Sequence, residues 1–225
     1  MERSFDTGIE YIQSQLLAMA GHLENALAAA ISAWKDRNPA KVQQVHAIEQ
    51  KVNRAHLVVD AECVELIALE HPFATDLRRV IAIIRMNNDL ERMVDLAVNI
   101  ANNTEYYLKN PHTVSTDKLV TMASQVQVMV RGAIDAFVER SEPLAEGVFA
   151  VEKDVDRFKD EIFREMLALA QAKPALVEQV VNIILIARNL ERIGDHATNI
   201  AEEVIYAVSG KDVRHPSLKS SDDKG

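Results

Sequence analysis

The sequence contains few residues that break or reverse a chain. Its 7 glycines and 6 prolines make up about 6% of 225 residues, roughly half of the ~12% that is average for these two types. This scarcity excludes a collagen-like repeat or a Gly/Ser-rich linker and disfavours a turn-rich all-β fold. Hydrophobic residues make up 48% of the chain, which excludes intrinsic disorder. The composition favours long helices.

Cysteine, long apolar runs and positive charge are also scarce. The single Cys63 cannot form an intramolecular disulfide, and no apolar run reaches the ~18 residues of a membrane span. The N-terminal segment is charged where a secretory signal would be apolar. With 25 basic and 34 acidic residues the net charge is -9, which disfavours nucleic-acid binding and favours cations or basic partners. We expect a cytoplasmic protein that meets a membrane only peripherally, through partners.

The chain does contain six segments in which apolar residues recur at spacings of three and four. This periodicity is typical of helices that bury a narrow seam in a bundle. Typical seam residues are Leu16 and Leu23, Val45 and Val52, Met86 and Leu90, Met122 and Val126, Val148 and Val155, and Ile183 and Leu190. Residues of helix ends and turns occur at Asn38-Pro39, His71-Pro72, Ser141-Glu142-Pro143, Lys173-Pro174 and Gly210.

The two halves of the chain repeat each other. Residues 90–101 match residues 190–201 at eight of twelve positions, including Glu, Arg, Asp and Asn as well as apolar residues. Earlier residues match at an offset of 103 instead of 100, so that Glu49 corresponds to Glu152, and the change of offset falls in the turns. We predict an all-α fold of tandem duplicated three-helix bundles. The first bundle would comprise residues 1–110, the second 111–210, and a polar tail 211–225.

Acidic side chains recur at fixed positions in both repeats. Glu91 and Asp95 are four residues apart and share one face of a helix, as do Glu191 and Asp195. Helices joined by a short turn run antiparallel, so residues equidistant from the turn lie at the same level. Each half is therefore predicted to bring four oxygen-bearing side chains together. They are Glu49, Asn53, Glu91 and Asp95 in the first half, and Glu152, Asp156, Glu191 and Asp195 in the second.

Two interpretations of these clusters stay open. Carboxylates that converge across two helices repel one another unless a cation lies among them, and oxygen donors suit Mg2+, Ca2+, Mn2+ or iron and disfavour a structural zinc site. In this reading Asn99 and Asn199, one turn further on, are candidate outer-shell ligands. The alternative is a salt-bridge ladder, for which the available arginines are Arg54, Arg92, Arg157 and Arg192. His56 and His196 lie near the clusters and are expected to be ordinary surface or partly buried histidines.

No arrangement of residues typical of an enzyme occurs in the sequence. It has no Gly-rich phosphate loop, no Cys/His nucleophile pair and no Glu-x-x-His motif, which di-iron bundles use to hold a buried redox site. We therefore expect a non-enzymatic protein. The competing class is a metal-dependent enzyme or a metal-storage helical bundle.

Several motifs together resemble one known family. Leu-Glu-Arg-(Met/Ile)-x-Asp occurs in both halves, together with Ala74-Thr75-Asp76-Leu77-Arg78 and Gly210-Lys211-Asp212-Val213-Arg214-His215. This combination, over about residues 5 to 215, resembles the PhoU family, regulators of bacterial phosphate uptake. The resemblance implies metal binding by all eight cluster residues, with iron, manganese, magnesium or zinc as the ion. Asn53 stands where the family motif has a carboxylate, so the first site would be weaker or would hold fewer ions.

The resemblance also implies partners. PhoU proteins link the ATPase subunit of the phosphate ABC transporter to a phosphate-sensing histidine kinase and negatively regulate the phosphate regulon, and members often form homodimers. We expect this protein to do the same as a non-enzymatic adaptor.

Overall fold

The protein is built from long helices. The computed structural model describes residues 4–109, 114 and 117–214, and within them the chain forms six α-helices. They are α1 (Ser4–Lys35), α2 (Pro39–Glu70), α3 (Ala74–Leu108), α4 (Asp117–Glu139), α5 (Glu142–Ala172) and α6 (Val177–Ser209). Helices α1 to α3 pack against one another, and so do α4 to α6, which confirms the predicted all-α fold of two three-helix bundles. The predicted boundary at residues 110 and 111 lies outside the described residues, as does the tail beyond Arg214.

Polar side chains cap two of the helices where the sequence predicted helix starts. Asn38 Oδ1 accepts a hydrogen bond from the Ala40 amide at 3.0 Å and thereby caps α2. Pro39, at the first helical position, has no amide proton that would need a partner. Ser141 caps α5 by accepting a hydrogen bond from the Leu144 amide at 3.4 Å. Both predicted starts are confirmed.

The connections within the two halves differ in length. His71, in the left-handed conformation with a φ of 46°, ends α2. In the second half Lys173 alone separates α5 from a 3-10 turn, Pro174–Leu176, which leads into α6. The second connection has two fewer non-helical residues than the first, and α5 ends one residue earlier than α2 does at the offset of 103, which together account for the change of three in the repeat. Gly210 ends α6 with a φ of 74°, a conformation that glycine adopts at little cost.

The predicted seams form one continuous core. The seam residues of α1, α3, α4 and α6 are buried, whereas some seam residues of α2 and α5, such as Ala55 and Phe158, are only half-buried. The prediction omitted Cys63, which is fully buried. Burial raises the pKa of the Cys63 thiol to about 12, with smaller contributions from the charges of Asp60 and Glu62. The thiol is therefore protonated at neutral pH and behaves as an apolar core residue.

Helix α1 is, by length and composition, apolar enough to cross a membrane. Half of its apolar window is buried inside the bundle, where α1 packs on α2 and α3. Core helices of bundles commonly have this composition. The apolar character of α1 is therefore accounted for by core packing.

The two halves meet mainly along α3 and α6. His196 of α6 contacts Asp89 of α3, with 2.7 Å between Nδ1 and Oδ1, and Arg85 of α3 binds Glu203 of α6 at 3.0 Å. Residue numbers rise along one helix as they fall along the other, so the two helices are antiparallel. Helices α1 and α4 also touch. Equivalent helices of the repeats thus pair with each other, as expected for an approximate twofold axis.

Candidate metal centre

Four carboxylates of the second half are neighbours on α5 and α6. Glu152 and Asp156 lie about one turn apart on α5, as Glu191 and Asp195 do on α6. Partial burial and the negative charges of its neighbours raise the pKa of Asp195 from 3.8 to about 6. These charges belong to Glu191, Asp156 and Glu152, whereas the nearby His196 lowers the pKa of Asp195. The structure therefore brings the predicted set together, and Asp195 remains exposed to solvent.

An ammonium group lies against two members of this cluster. Lys159 follows Asp156 by about one turn on α5 and donates a hydrogen bond from Nζ to Glu191 Oε1 of α6 at 3.2 Å. The same Nζ lies 3.9 Å from Asp156 Oδ1 and 3.5 Å from Asp160 Oδ1. Partial burial disfavours the charged ammonium, but the hydrogen bond to Glu191 and the adjacent carboxylates outweigh this effect, so the pKa of Lys159 is raised. A lysine side chain thus joins α5 to α6 at this point.

The corresponding residues of the first half make local contacts. Glu49 Oε2 lies 3.7 Å from Nδ1 of His46, which is three residues earlier on α2. Glu91 Oε2 lies 3.6 Å from Nε of Arg92, the next residue in the chain. Asn53 is exposed and Asp95 is half-buried. In the part of the chain that the structure describes, no ion pair or hydrogen bond joins these predicted ligands across α2 and α3.

The arginine ladder that the sequence suggested is not what joins the helices. Only Arg92 pairs with a cluster residue, Glu91 of its own helix, within the described residues. Arg157 binds Asp154 at 2.9 Å, outside the cluster. Among the described residues, the cation that crosses from α5 to the acidic residues of α6 is Lys159. Sequence reasoning missed this lysine, although its spacing of three from Asp156 placed it on the acidic face.

The two asparagines predicted as outer-shell ligands are both exposed. Asn199 Nδ2 donates to Asp89 Oδ1 at 3.3 Å, beside the contact of the same oxygen with His196. Asn199 therefore contributes to the pairing of α3 with α6. The repeat gave no signal for Asp89, because the equivalent residue of the second half is Asn189. Asn99 makes no such contact among the described residues.

The second cluster has the donor chemistry of a cation site but not a formed coordination sphere. Across residues 4–109, 114 and 117–214, no three His, Cys, Asp or Glu side chains are arranged closely enough to hold a metal ion. The oxygen donors nevertheless fit a hard divalent cation, and the raised pKa of Asp195 reflects negative charge that a cation would relieve. Glu152, Asp156, Glu191 and Asp195 are the residues that would hold it. Lys159 pairs with two of these residues, Glu191 and Asp156.

A second ionic cluster, which sequence reasoning missed, ties the end of the described chain to both halves. Glu203 of α6 is only 4% exposed and accepts hydrogen bonds from Arg85 Nη1 of α3 at 3.0 and 3.1 Å. Arg214 Nη1 donates to the same carboxylate at 3.3 Å, and its other nitrogens bind Asp212. Both guanidinium groups lie over the Tyr206 ring, 5.7 and 6.0 Å from its centre. The only signal in the sequence was the motif that contains Arg214.

Fold and site together define a class of proteins, tandem three-helix bundles with acidic residues shared between the second and third helix of a repeat. The family model described as the PhoU domain matches residues 16–104 and again residues 119–204. The chain is 38% identical to the phosphate-specific transport system accessory protein PhoU homolog of Pseudomonas aeruginosa, over 97% of this chain and 90% of that protein. It is 29% identical to the PhoU accessory protein of Escherichia coli K12, over 94% and 88% of the two chains. The chain therefore belongs to the PhoU family, as its motifs predicted.

Solved structures agree with this assignment. The crystal structure of PhoU from Pseudomonas aeruginosa superimposes with a TM-score of 0.90 at 37% identity, covering 92% of this chain and all of that one. PhoU from Streptococcus pneumoniae, described as a phosphate transport system regulatory protein, gives a TM-score of 0.86 at 22% identity, covering 93% and 99%. This second likeness shows the shared fold alone.

Proposed function

We propose that this protein is an accessory protein of phosphate uptake that negatively regulates the phosphate regulon. It would act as a non-enzymatic adaptor between the ATPase subunit of a phosphate ABC transporter and a phosphate-sensing histidine kinase. The observation that supports this proposal is the PhoU match in both halves, with relatives named as phosphate transport accessory proteins over nearly their whole length. We further propose that it works in the cytoplasm as a homodimer.

The regulatory proposal is tested in the cell. Deleting the gene should derepress alkaline phosphatase in medium rich in phosphate, and a plasmid copy should restore repression. Normal repression in the deletion strain would contradict the proposal. Copurification with the transporter ATPase and with the kinase, each tagged in turn, tests the adaptor role, and failure of both to bind the purified protein would argue against it.

The second part of the proposal is that the acidic cluster of α5 and α6 binds a divalent cation. Oxygen donors on two adjacent helices, with one of them at a raised pKa, support it. Metal analysis of the purified wild type should find an ion that is lost in a Glu191→Ala, Asp195→Ala double variant. Glu146→Ala, at an exposed position of α5, is the control. An unchanged metal content in the double variant would argue against these ligands.

The same purified protein tests the non-enzymatic role. Incubation with phosphate esters and the metal found above should give no turnover. Turnover that disappears in the double variant would instead favour a metal-dependent enzyme.

A further inference from the structure

Lys159 lies against the part of the second acidic cluster that Glu191 and Asp156 form. Its Nζ lies within 4 Å of two of the four predicted ligands, 3.2 Å from Glu191 and 3.9 Å from Asp156. These two ligands are on different helices, so the ammonium bridges α5 and α6. The Lys159 side chain is 32% exposed, which leaves it room to move out toward solvent.

The two halves of the chain differ at the position of this lysine. At the offset of 103, Lys159 corresponds to His56 and Asp156 to Asn53. His56 Nε2 lies 3.6 Å from Asp60 and, within the described residues, makes no ion pair with the first cluster. Among the predicted ligands alone, the second cluster has four carboxylates and the first has three carboxylates and an amide, so the second carries one more negative charge. Lys159 therefore compensates for the extra carboxylate of Asp156.

An ammonium and a divalent cation cannot share these oxygens. A metal ion of this type binds carboxylate oxygens at ~2.0 to 2.6 Å, whereas the lysine holds the same lone pairs through its N–H donors. Two positive charges about 4 Å apart also repel each other by several kcal/mol, even at an effective dielectric constant of about 20. The ammonium has to leave Glu191 before a metal ion can bind there.

We propose that Lys159 is the resident counter-cation of the second cluster and that a divalent cation binds only by displacing it. The inference rests on the proposed metal binding and adds that the chain itself competes for the site. Displaced from Glu191, Lys159 can remain paired with Asp160, which lies outside the predicted ligand set. Metal binding thus breaks a link between α5 and α6 and replaces it with another.

The test is a titration of metal-free, full-length protein with Mn2+ in which calorimetry measures the affinity. Lys159→Met keeps the length of the side chain and removes its charge, and Lys153→Met, at an exposed position on the same helix, is the matched control. We expect Lys159→Met to bind Mn2+ about tenfold more tightly than the wild type, equivalent to about 1.4 kcal/mol, and Lys153→Met to bind it unchanged. Affinity of Lys159→Met within twofold of the wild type, or weaker, would overturn the proposal.

Comparison of the wild type with Lys159→Met separates this inference from the proposed metal function. If neither the wild type nor Lys159→Met binds Mn2+, the metal site itself is refuted and the inference with it. If the wild type binds and Lys159→Met binds no better, only the role of Lys159 is refuted.

A measurement on the wild type removes any dependence on how the variant folds. Reductive methylation read out by mass spectrometry should label Lys159 faster when saturating Mn2+ is present, while Lys153 reacts equally under both conditions. An unchanged or slower rate at Lys159 would contradict displacement.

Discussion

At neutral pH the folded protein carries an unfavourable negative charge at Asp195, so Asp195→Asn should stabilise the metal-free protein. Burial and the nearby carboxylates of Glu191 and Asp156 oppose ionisation of this side chain. Asparagine has nearly the same shape and carries no charge. Because Asp195 is exposed, the substitution leaves the apolar core unchanged.

The size of the effect follows from the pKa of Asp195 and its exposure. Its rise from 3.8 to about 6 would correspond to roughly 3 kcal/mol in a fully buried group, at about 1.4 kcal/mol for each pH unit. Solvent screens most of this at an exposed side chain, so we expect a gain of about 1 kcal/mol in the free energy of unfolding. For a chain of this size, such a gain raises Tm by about 2 to 4 °C.

The effect should depend on pH with a definite sign. The folded state holds the Asp195 proton more tightly than the unfolded state, so ionisation of this group opposes folding. The penalty is complete above a pH of about 6, shrinks as the pH falls toward 3.8, and is absent below that value. The advantage of Asp195→Asn over the wild type should therefore be present at about pH 7.5 and largely lost at about pH 4.

Urea unfolding in the presence of a chelator, at low ionic strength, measures this difference. Asp95→Asn, the equivalent substitution in the first half, is the matched control. Asn53 replaces one of the neighbouring carboxylates there, so the Asp95→Asn variant should gain less stability than Asp195→Asn. The reasoning is refuted if Asp195→Asn is less stable than the wild type at neutral pH, or if its advantage is as large at pH 4 as at neutral pH.

Three further substitutions test the remaining contacts. Glu203→Gln removes the buried charge that holds Arg214 and should lower the free energy of unfolding by about 2 to 3 kcal/mol, measured in urea. Asp89→Ala removes the 2.7 Å contact with His196 between the halves and should cost about 1 kcal/mol by the same assay. Gly210→Ala forces a side chain into a φ of 74° and should cost about 1 to 2 kcal/mol, visible as a lower Tm.

Each of these substitutions has an outcome that would contradict its explanation. If the Glu203→Gln variant is as stable as the wild type, the buried charge is not stabilised by its arginines. If Asp89→Ala and a His196→Ala variant each lose stability and their effects add fully in the double variant, the two residues are not coupled. Gly21→Ala, in an open position inside α1, is the control for Gly210→Ala and should gain stability.

The sequence was sufficient for the features that depend on local pattern. Spacings of three and four place Met86 and Leu90 in the core, because these spacings fix a face of a helix. The caps at Asn38 and Ser141 were also predictable, because a cap bonds to amides two or three residues away. The register of α5 against α6 followed from the position of the turn, and it brings Asp195 near Glu152.

Contacts between the halves were not predictable in the same way. The repeat shows which residues are equivalent, but not which helices of the two copies pack together. The contact of Asp89 with His196 has no counterpart, because the equivalent residues are Asn189 and Leu96. Lys159 was overlooked for another reason, since the direction of a flexible side chain depends on charges of the neighbouring helix.

The burial pattern of α3 has a consequence for the origin of the chain. Met93, Val94, Leu96 and Ala97 are all buried, although a helix that packs on one side only would expose one of them. A single repeat would leave part of this surface uncovered, and two identical copies could cover it by pairing through the same helix. Duplication within one chain makes that pairing intramolecular, so it no longer depends on the concentration of the protein in the cell. It also frees the two copies from identity, and in this chain one has four carboxylates with a lysine while the other has Asn53 in place of a carboxylate.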